Sequence, residues 1–368
     1  MKKQEQPKIY IGIDLGDRKH QVCVTDKDGT VLSEKSMTNN FESFALLASQ
    51  YPKATVALEV GTHSPWISQY LETLGLEVFV ANPRKLKYIS ENIRKSDLRD
   101  ARILAKFVRL DPELLCPIKH RSVKAQKDLV QIKLRDALVR NRVGMILSLR
   151  GILKSFGIRL PSCSTPYFAR RAEEFITENH PDHLQSVQGI LESIKTITAQ
   201  IKEYDKAIYQ AVEEHYPEAK RLMTIPGVAA VSALTFILSI EDPNRFDKSR
   251  EVGAFLGLVP KRNQSGSRDK ELSISKAGDK YVRRLLVQCS QYMLGAHAKD
   301  SALRDWGLNY IKTGGQNAKK KAIVAMARKL STIMMSLWKN EEDYTPYPNG
   351  KPQKTLTITK HTTSQNAA

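Results

Sequence analysis

A chain of 368 residues that is 41% hydrophobic is long enough to bury a substantial core and to divide into more than one domain, which excludes a disordered tail protein. Its 58 Lys and Arg stand against 39 Asp and Glu, and the formal net charge of +19 recurs along most of the length, so a polyanionic partner, DNA or RNA, is expected. Cys23, Cys116, Cys163 and Cys289 lie far apart with no C-x-x-C pair, and the longest apolar run is too short for a bilayer; a zinc ribbon, a disulfide scaffold and a membrane protein are excluded, and a cytoplasmic protein is expected.

From Ile9 to about Pro117 the pattern alternates strands and helices. "IYIGID", "QVCVTD" and "TVLSEKS" read as strands, the last two joined by the turn "DKDG". "FESFALLASQY" then has helical spacing, "ATVALEV" reads as a buried strand, "PWISQYLETLG" as a helix ending in glycine and "LEVFVAN" as another strand. Three strands followed by alternating helix and strand is the order of an α/β RNase H-like layer fold.

Residues 118–160 carry eleven Lys or Arg against two Asp on segments with helical apolar spacing. Prolines interrupt that period from Pro161 to about Leu184. Val187, Ile190, Ile194, Ile197, Ile201, Tyr204, Ile208 and Ala211 then step by three and four residues, the seam of a coiled-coil helix that pairs either with a second copy or within its own chain. A mainly α-helical compact domain follows from Ala219 to about Asn340. It opens on "LMTIPGVAAVSALTFILSI", whose Pro-Gly turn resembles either a helix-hairpin-helix or an ordinary helix connection. The expected organisation is therefore 1–117, 118–218, 219–340 and a disordered polar tail at 341–368.

Chemistry concentrates at two places. Asp14 ends the first strand, Glu59 falls near the end of "TVALEV", and Asp97 and Asp100 sit three apart on one helical face. Carboxylates from three elements that converge would repel one another unless hard cations such as Mg²⁺ took their oxygens; two such ions about 3.5–4 Å apart suit phosphodiester cleavage. The other reading pairs Asp97 and Asp100 with Arg94, Arg99 or Arg102 on a solvated helix. At the second place, "KRNQSGSRDK", Ser265 precedes Gly266 among Lys261, Arg262, Arg268 and Lys270. Glycine permits close approach to phosphate, and the serine is either a phosphate contact or a nucleophile activated by nearby cations. Lys276, Lys280, Arg283 and Arg284 extend the basic surface as phosphate contacts.

Taken in order, "IYIGIDLGDRKHQVCVTD", "ALEVGTHSPWISQYLETLG", "NPRKLKYISENIRKSDLRDARILA", the stretch from "LMTIPGVAAV" through "GDKYVRRLLVQCS", and "KKKAIVAMARKLSTIMMSLWK" resemble the DEDD transposases of insertion sequence family 110. The resemblance implies a RuvC-like catalytic domain holding Mg²⁺ on Asp14, Glu59, Asp97 and Asp100, and a second domain with a serine nucleophile. That serine maps to Ser265; Ser267 competes, because Gln264 stands where family members commonly carry a further serine. The resemblance also implies a structured guide RNA that pairs with donor and target DNA, and assembly into a dimer or tetramer in which the acids of one subunit meet the serine of another. A junction-type nuclease without a covalent step and a non-catalytic nucleic-acid-binding protein remain the alternatives.

Overall fold

The computed structural model describes residues 8–83, 96–265, 268–348 and 350, with the side chains of residues 263–271 outside that description. The chain divides into two compact units whose boundary falls between Ser122 and Val123.

The first unit is built on a mixed five-stranded sheet ordered β3-β2-β1-β4-β5. Its strands are β1 Tyr10–Asp14, β2 Lys19–Thr25, β3 Val31–Thr38, β4 Thr55–Glu59 and β5 Glu77–Ala81. They fall where the alternating pattern places them. β1 runs antiparallel to β2 and parallel to β4, and so occupies the centre.

The two faces of the sheet differ because side chains alternate along a strand. Ile11, Ile13, Val22, Val24, Val56 and Leu58 point one way and pack with Phe44 and Leu47 of α1 (Phe41–Gln50) and Ile67 and Leu71 of α2 (Ser64–Thr73). The opposite face carries small residues, Gly12, Cys23 and Ala57, and receives Ala101, Leu104, Ala105 and Val108 of α3 (Asp97–Leu110). Smallness there sets how deep α3 sits. A Cβ built on Gly12 would stand 2.0 Å from the Ala101 carbonyl oxygen and 2.5 Å from the Ala105 nitrogen, so helix and strand backbones touch. Arg102 of α3 donates from both Nε and Nη2 to the Glu34 carboxylate on β3, a bidentate tether for the same helix.

In the second unit α4 (Val123–Lys154) and α6 (Leu184–His215) form a long helical hairpin, with α5 (Phe168–Asn179) packed across one end. Val187, Leu191 and Ile194 of α6 pack there with Ile146, Leu149 and Leu153 of α4 and Phe168 and Ile176 of α5. At the other end Ala125, Leu129 and Ile132 of α4 and Ile208 and Val212 of α6 merge into the core formed by the following helices. The heptad seam is thus covered from within the chain, while Ile190, Ile197, Tyr204 and Ala211, one heptad apart, stay half-buried on its flank.

That core is made by α7 (Pro217–Leu222), the almost wholly buried α8 (Ala230–Ile240), the short α9 (Val252–Phe255), α10 (Lys280–Met293), α11 (Ala302–Thr313) and α12 (Ala318–Asn340). Between α9 and α10 a hairpin stands out: β6 (Pro260–Ser265) pairs antiparallel with β7 (Arg268–Ile274). Part of the stretch expected as a tail is ordered. Tyr344 donates its N–H to the Thr224 hydroxyl at 2.9 Å, the Pro346 carbonyl accepts from the Ala302 N–H at 2.9 Å, and the Tyr347 hydroxyl donates to Asp305 at 2.8 Å. Residues 351–368 of that stretch lie outside the described residues. Among the described residues no helix is long and apolar enough to cross a membrane.

The depth of α3 yields a prediction. Gly12→Ala should destabilise the first unit by about 1–3 kcal/mol or more in urea denaturation, because two backbones must separate. Gly61→Ala, where an added Cβ would meet nothing within 4 Å, should change stability by no more than about 0.5 kcal/mol.

Candidate active site

Ile13 of β1 is in register with Leu58 of β4 in a parallel pair, so the next residues, Asp14 and Glu59, leave the sheet side by side at the carboxyl ends of its central strands. Asp97 and Asp100 open the first turn of α3, which Ser96 caps by accepting the Arg99 N–H at 3.3 Å. Acids in a first turn are favoured by the helix dipole, so this placement also stabilises the helix start. Since α3 rests with its backbone on Gly12, two residues before Asp14, the same contact holds its first turn over the strand end.

The electrostatics report the convergence. Asp14 is pushed up to about 6, first by burial and then by the carboxylates of Asp97, Asp100 and Glu59, with only the Leu15 backbone N–H opposing. Asp14 of β1 thus feels the three other sequence-predicted acids, which come from β4 and α3. Of the arginines that were candidate partners for Asp97 and Asp100, Arg102 is bound to Glu34, and Arg94 lies outside the described residues. Carboxylate oxygens gathered in this way suit a hard divalent cation. Among the described residues no three His, Cys, Asp or Glu side chains form a ready metal cage, so ligation would draw these side chains inward.

The sequence reading did not identify a histidine at the rim. His63, four residues past Glu59, places Nε2 3.1 Å from Oδ1 of Asp17, itself three residues past Asp14. Trp66 donates Nε1–H to His63 Nδ1 at 3.3 Å, which leaves Nε2 to carry the proton toward Asp17 in the neutral ring. His63 and Asp17 are 46 residues apart, and only the β1–β4 pairing makes them neighbours.

In the second unit Ser265 is the last residue of β6 and is paired in register with Arg268, the first of β7. Gly266 and Ser267 lie outside the described residues, as do the side chains of Arg268 and Lys270. The base of the hairpin is fixed more firmly than its sequence suggests. Gly257 and Gly278 both have positive φ, and a Cβ on either would stand 2.2 Å from the Ala277 oxygen or 2.1 Å from the Phe255 oxygen, respectively. Arg283 donates from Nη1 to the carbonyls of Leu256, Ala277 and Gly278 and so holds this loop together. Lys261, Arg262, Lys276 and Lys280 are exposed, whereas Arg284 donates to Asp136 of α4. The Ser-Gly dipeptide signals a turn, but the charged residues around it show no apolar alternation, so the hairpin was not legible as strands.

Comparison with known proteins adds two family models. Residues 11–158 match a transposase model of the DEDD IS110 type, and residues 219–306 match the transposase IS116/IS110/IS902 family. The chain is 26% identical over 347 residues to the transposase for insertion sequence element IS1111A of Coxiella burnetii, covering 91% of this chain and 90% of that one. It is 28% identical over 329 residues to the transposase for insertion sequence element IS1328 of Yersinia enterocolitica, covering 88% and 94%. It is 30% identical over 316 residues to the putative transposase y4rJ of Sinorhizobium fredii, covering 79% and 77%.

The raised Asp14 has a sign that can be measured. An acid whose folded pKa lies near 6 instead of 3.8 costs the fold nothing below the lower value, an increasing amount between the two, and the full amount above about 6. Asp14→Asn should therefore raise the melting temperature by a few degrees near pH 7.5 and leave it unchanged near pH 3.5. Adding a divalent metal salt near pH 7.5 should raise the melting temperature of the wild type more than that of Asp14→Asn.

Proposed function

The chain belongs to the IS110 family of DEDD transposases, enzymes that cleave DNA and transfer its strands, and on that premise we propose how its residues divide the work. The observation that carries the proposal is the coupling of Asp14 to Glu59, Asp97 and Asp100 within the region matched by the DEDD model. The sheet order 3-2-1-4-5, with the acids at its central strand ends, supports an RNase H-like, RuvC-like catalytic domain.

A DEDD transposase works with a divalent metal. We propose Mg²⁺, held by the oxygens of Asp14, Glu59, Asp97 and Asp100, which would supply charge stabilisation at the scissile phosphate. Asp14 must be ionised to serve as a ligand. With its pKa near 6, it offers that oxygen above about pH 6 and withholds it below, unless the metal itself displaces the proton.

Ser265 is the proposed nucleophile, Ser267 the competitor. In the step proposed, the serine Oγ bonds to phosphorus, the bond from phosphorus to the leaving sugar oxygen breaks, and the serine proton is transferred to that oxygen through solvent. The phosphoserine ester retains the bond energy, so a sugar hydroxyl can later attack it and release the serine without ATP. Lys261, Arg262, Arg268, Lys270, Lys276 and Lys280 around the hairpin would neutralise phosphates, with Arg284 nearby. The high positive charge also suits a guide RNA that pairs with both DNA partners while the protein grips backbone and shape. Cutting two duplexes calls for several copies of the chain, working in the cytoplasm at the nucleoid.

The test uses labelled element-end DNA with Mg²⁺ and candidate guide RNA, quenched in detergent. A protein–DNA adduct lost in Ser265→Ala and kept in Ser267→Ala is the expected result; the reverse pattern moves the nucleophile to Ser267. Cleavage without adduct in the wild type would mean a water-using nuclease, and binding without cleavage a non-catalytic role. Asp14→Asn should reduce cleavage by several orders of magnitude while leaving nucleic-acid affinity within about twofold of wild type.

A further inference from the structure

Within the second unit, a cleft of about 360 Å³ lies between α4 and α10, in the size range of ligand sites, lined among others by Arg135, Asp136, Arg140, Arg142, Tyr281 and Arg284. Its charges do not balance. Asp136 takes both Arg140, at 3.2 Å, and Arg284. Asp205 of α6 accepts from Arg135 at 2.5 Å. That leaves Arg142 as the fourth guanidinium beside two carboxylates.

Arg142 is only 7% exposed, yet its partners are hydroxyls: Nη1 reaches Thr198 and Nη2 reaches Thr165, each at 3.4 Å, and its buried Nε has no hydrogen-bond partner. Thr198 offers only a neutral acceptor, its own hydroxyl hydrogen being donated to the Ile194 carbonyl at 2.7 Å. A buried guanidinium so weakly paired is costly and is relieved by an anion. Burial and the nearby Arg135 both disfavour its charge, with Asp205 in partial compensation. The outer wall is open to incoming ligand: the side chains of Arg140 and Arg284 are 66% and 40% exposed, and the Arg284 guanidinium lies over the Tyr281 ring at 4.8 Å. Planar guanidinium forks match phosphate oxygens in pairs, which a set of lysines would not do.

We propose that this cleft binds a phosphodiester of a nucleic-acid backbone, with Arg140, Arg142 and Arg284 around its oxyanion. The proposal deepens the transposase reading and rests on it, because that reading brings nucleic acid to the protein. It assigns α4 a specific contact, made with Arg284 of α10, that would fix the register of the bound strand.

The test measures binding of the full chain to a labelled DNA duplex and, separately, to a labelled RNA hairpin across a salt series. Arg140→Gln, a change at an exposed side chain, is compared with Lys206→Gln on α6, whose side chain is 74% exposed. Arg140→Gln should weaken binding of at least one probe roughly threefold to tenfold and lower its log–log salt slope by about one; Lys206→Gln should stay within about twofold for both. A photo-crosslinking residue in place of Val143, which is part of the cleft wall, should join the same probe covalently and so tell DNA from RNA. An Arg140→Gln protein indistinguishable from Lys206→Gln, or no adduct from position 143, overturns the cleft while leaving the transposase reading intact. A wild-type chain that binds neither probe overturns both.

Discussion

The contact on which the first unit depends is the meeting of two backbones at Gly12. Every other feature of the carboxylate cluster follows from how closely α3 lies on β1. The sheet face beneath the helix is built from Gly12, Cys23 and Ala57, and the helix answers with Ala101 and Ala105, all fully buried except for the glycine's own missing side chain. Dispersion falls steeply with distance, so a surface of small residues gains its stability only by such close packing. The Arg102–Glu34 tether adds direction to that packing by holding the middle of α3 toward β3. Asp97 and Asp100 then have little freedom to be anywhere but over the strand ends.

Bringing those acids together has a cost to the fold, and the cost is informative. Asp14 would be a more ordinary carboxyl if α3 lay further away or began one turn later. Instead burial and three neighbouring carboxylates raise its pKa toward neutrality. Sites held against electrostatic repulsion by otherwise favourable packing are where chemistry is commonly found. The same pattern appears in the second unit, where like-charged guanidiniums are drawn into one cleft and Arg142 is buried with only hydroxyls to satisfy it. The first cluster gathers negative charge around Asp14, and the second gathers positive charge around Asp136.

The strands of the first unit were legible because alternation of apolar residues survives even in short segments, and Asp14 and Glu59 were legible as strand-end acids for the same reason. The helical hairpin was legible in period but not in partner. Nothing in the spacing of Val187, Ile194 and Ile208 says whether a second copy or α4 covers them, and within the chain the cover comes from Leu129, Ile132, Ile146 and Leu149 on a separate upstream helix. The β6–β7 hairpin was missed because its sequence shows no apolar alternation, and the packed segment around Tyr344 to Tyr347 because hydrogen bonds to Thr224 and Asp305 leave no periodic trace.

By itself the sequence determined the α/β order of the first unit, the helical character of the second, the family, and which acids and serines are candidates for chemistry. These are properties of local pattern and residue type, which a chain carries wherever it folds. Only the tertiary structure decided that Asp14 is coupled to Glu59, Asp97 and Asp100, that His63 meets Asp17, that Arg283 is committed to the hairpin base while Arg284 turns to Asp136, and that Arg142 is buried among hydroxyls. Each depends on distances between residues far apart in the chain, and those distances are set by how closely backbones can pack where small side chains allow it.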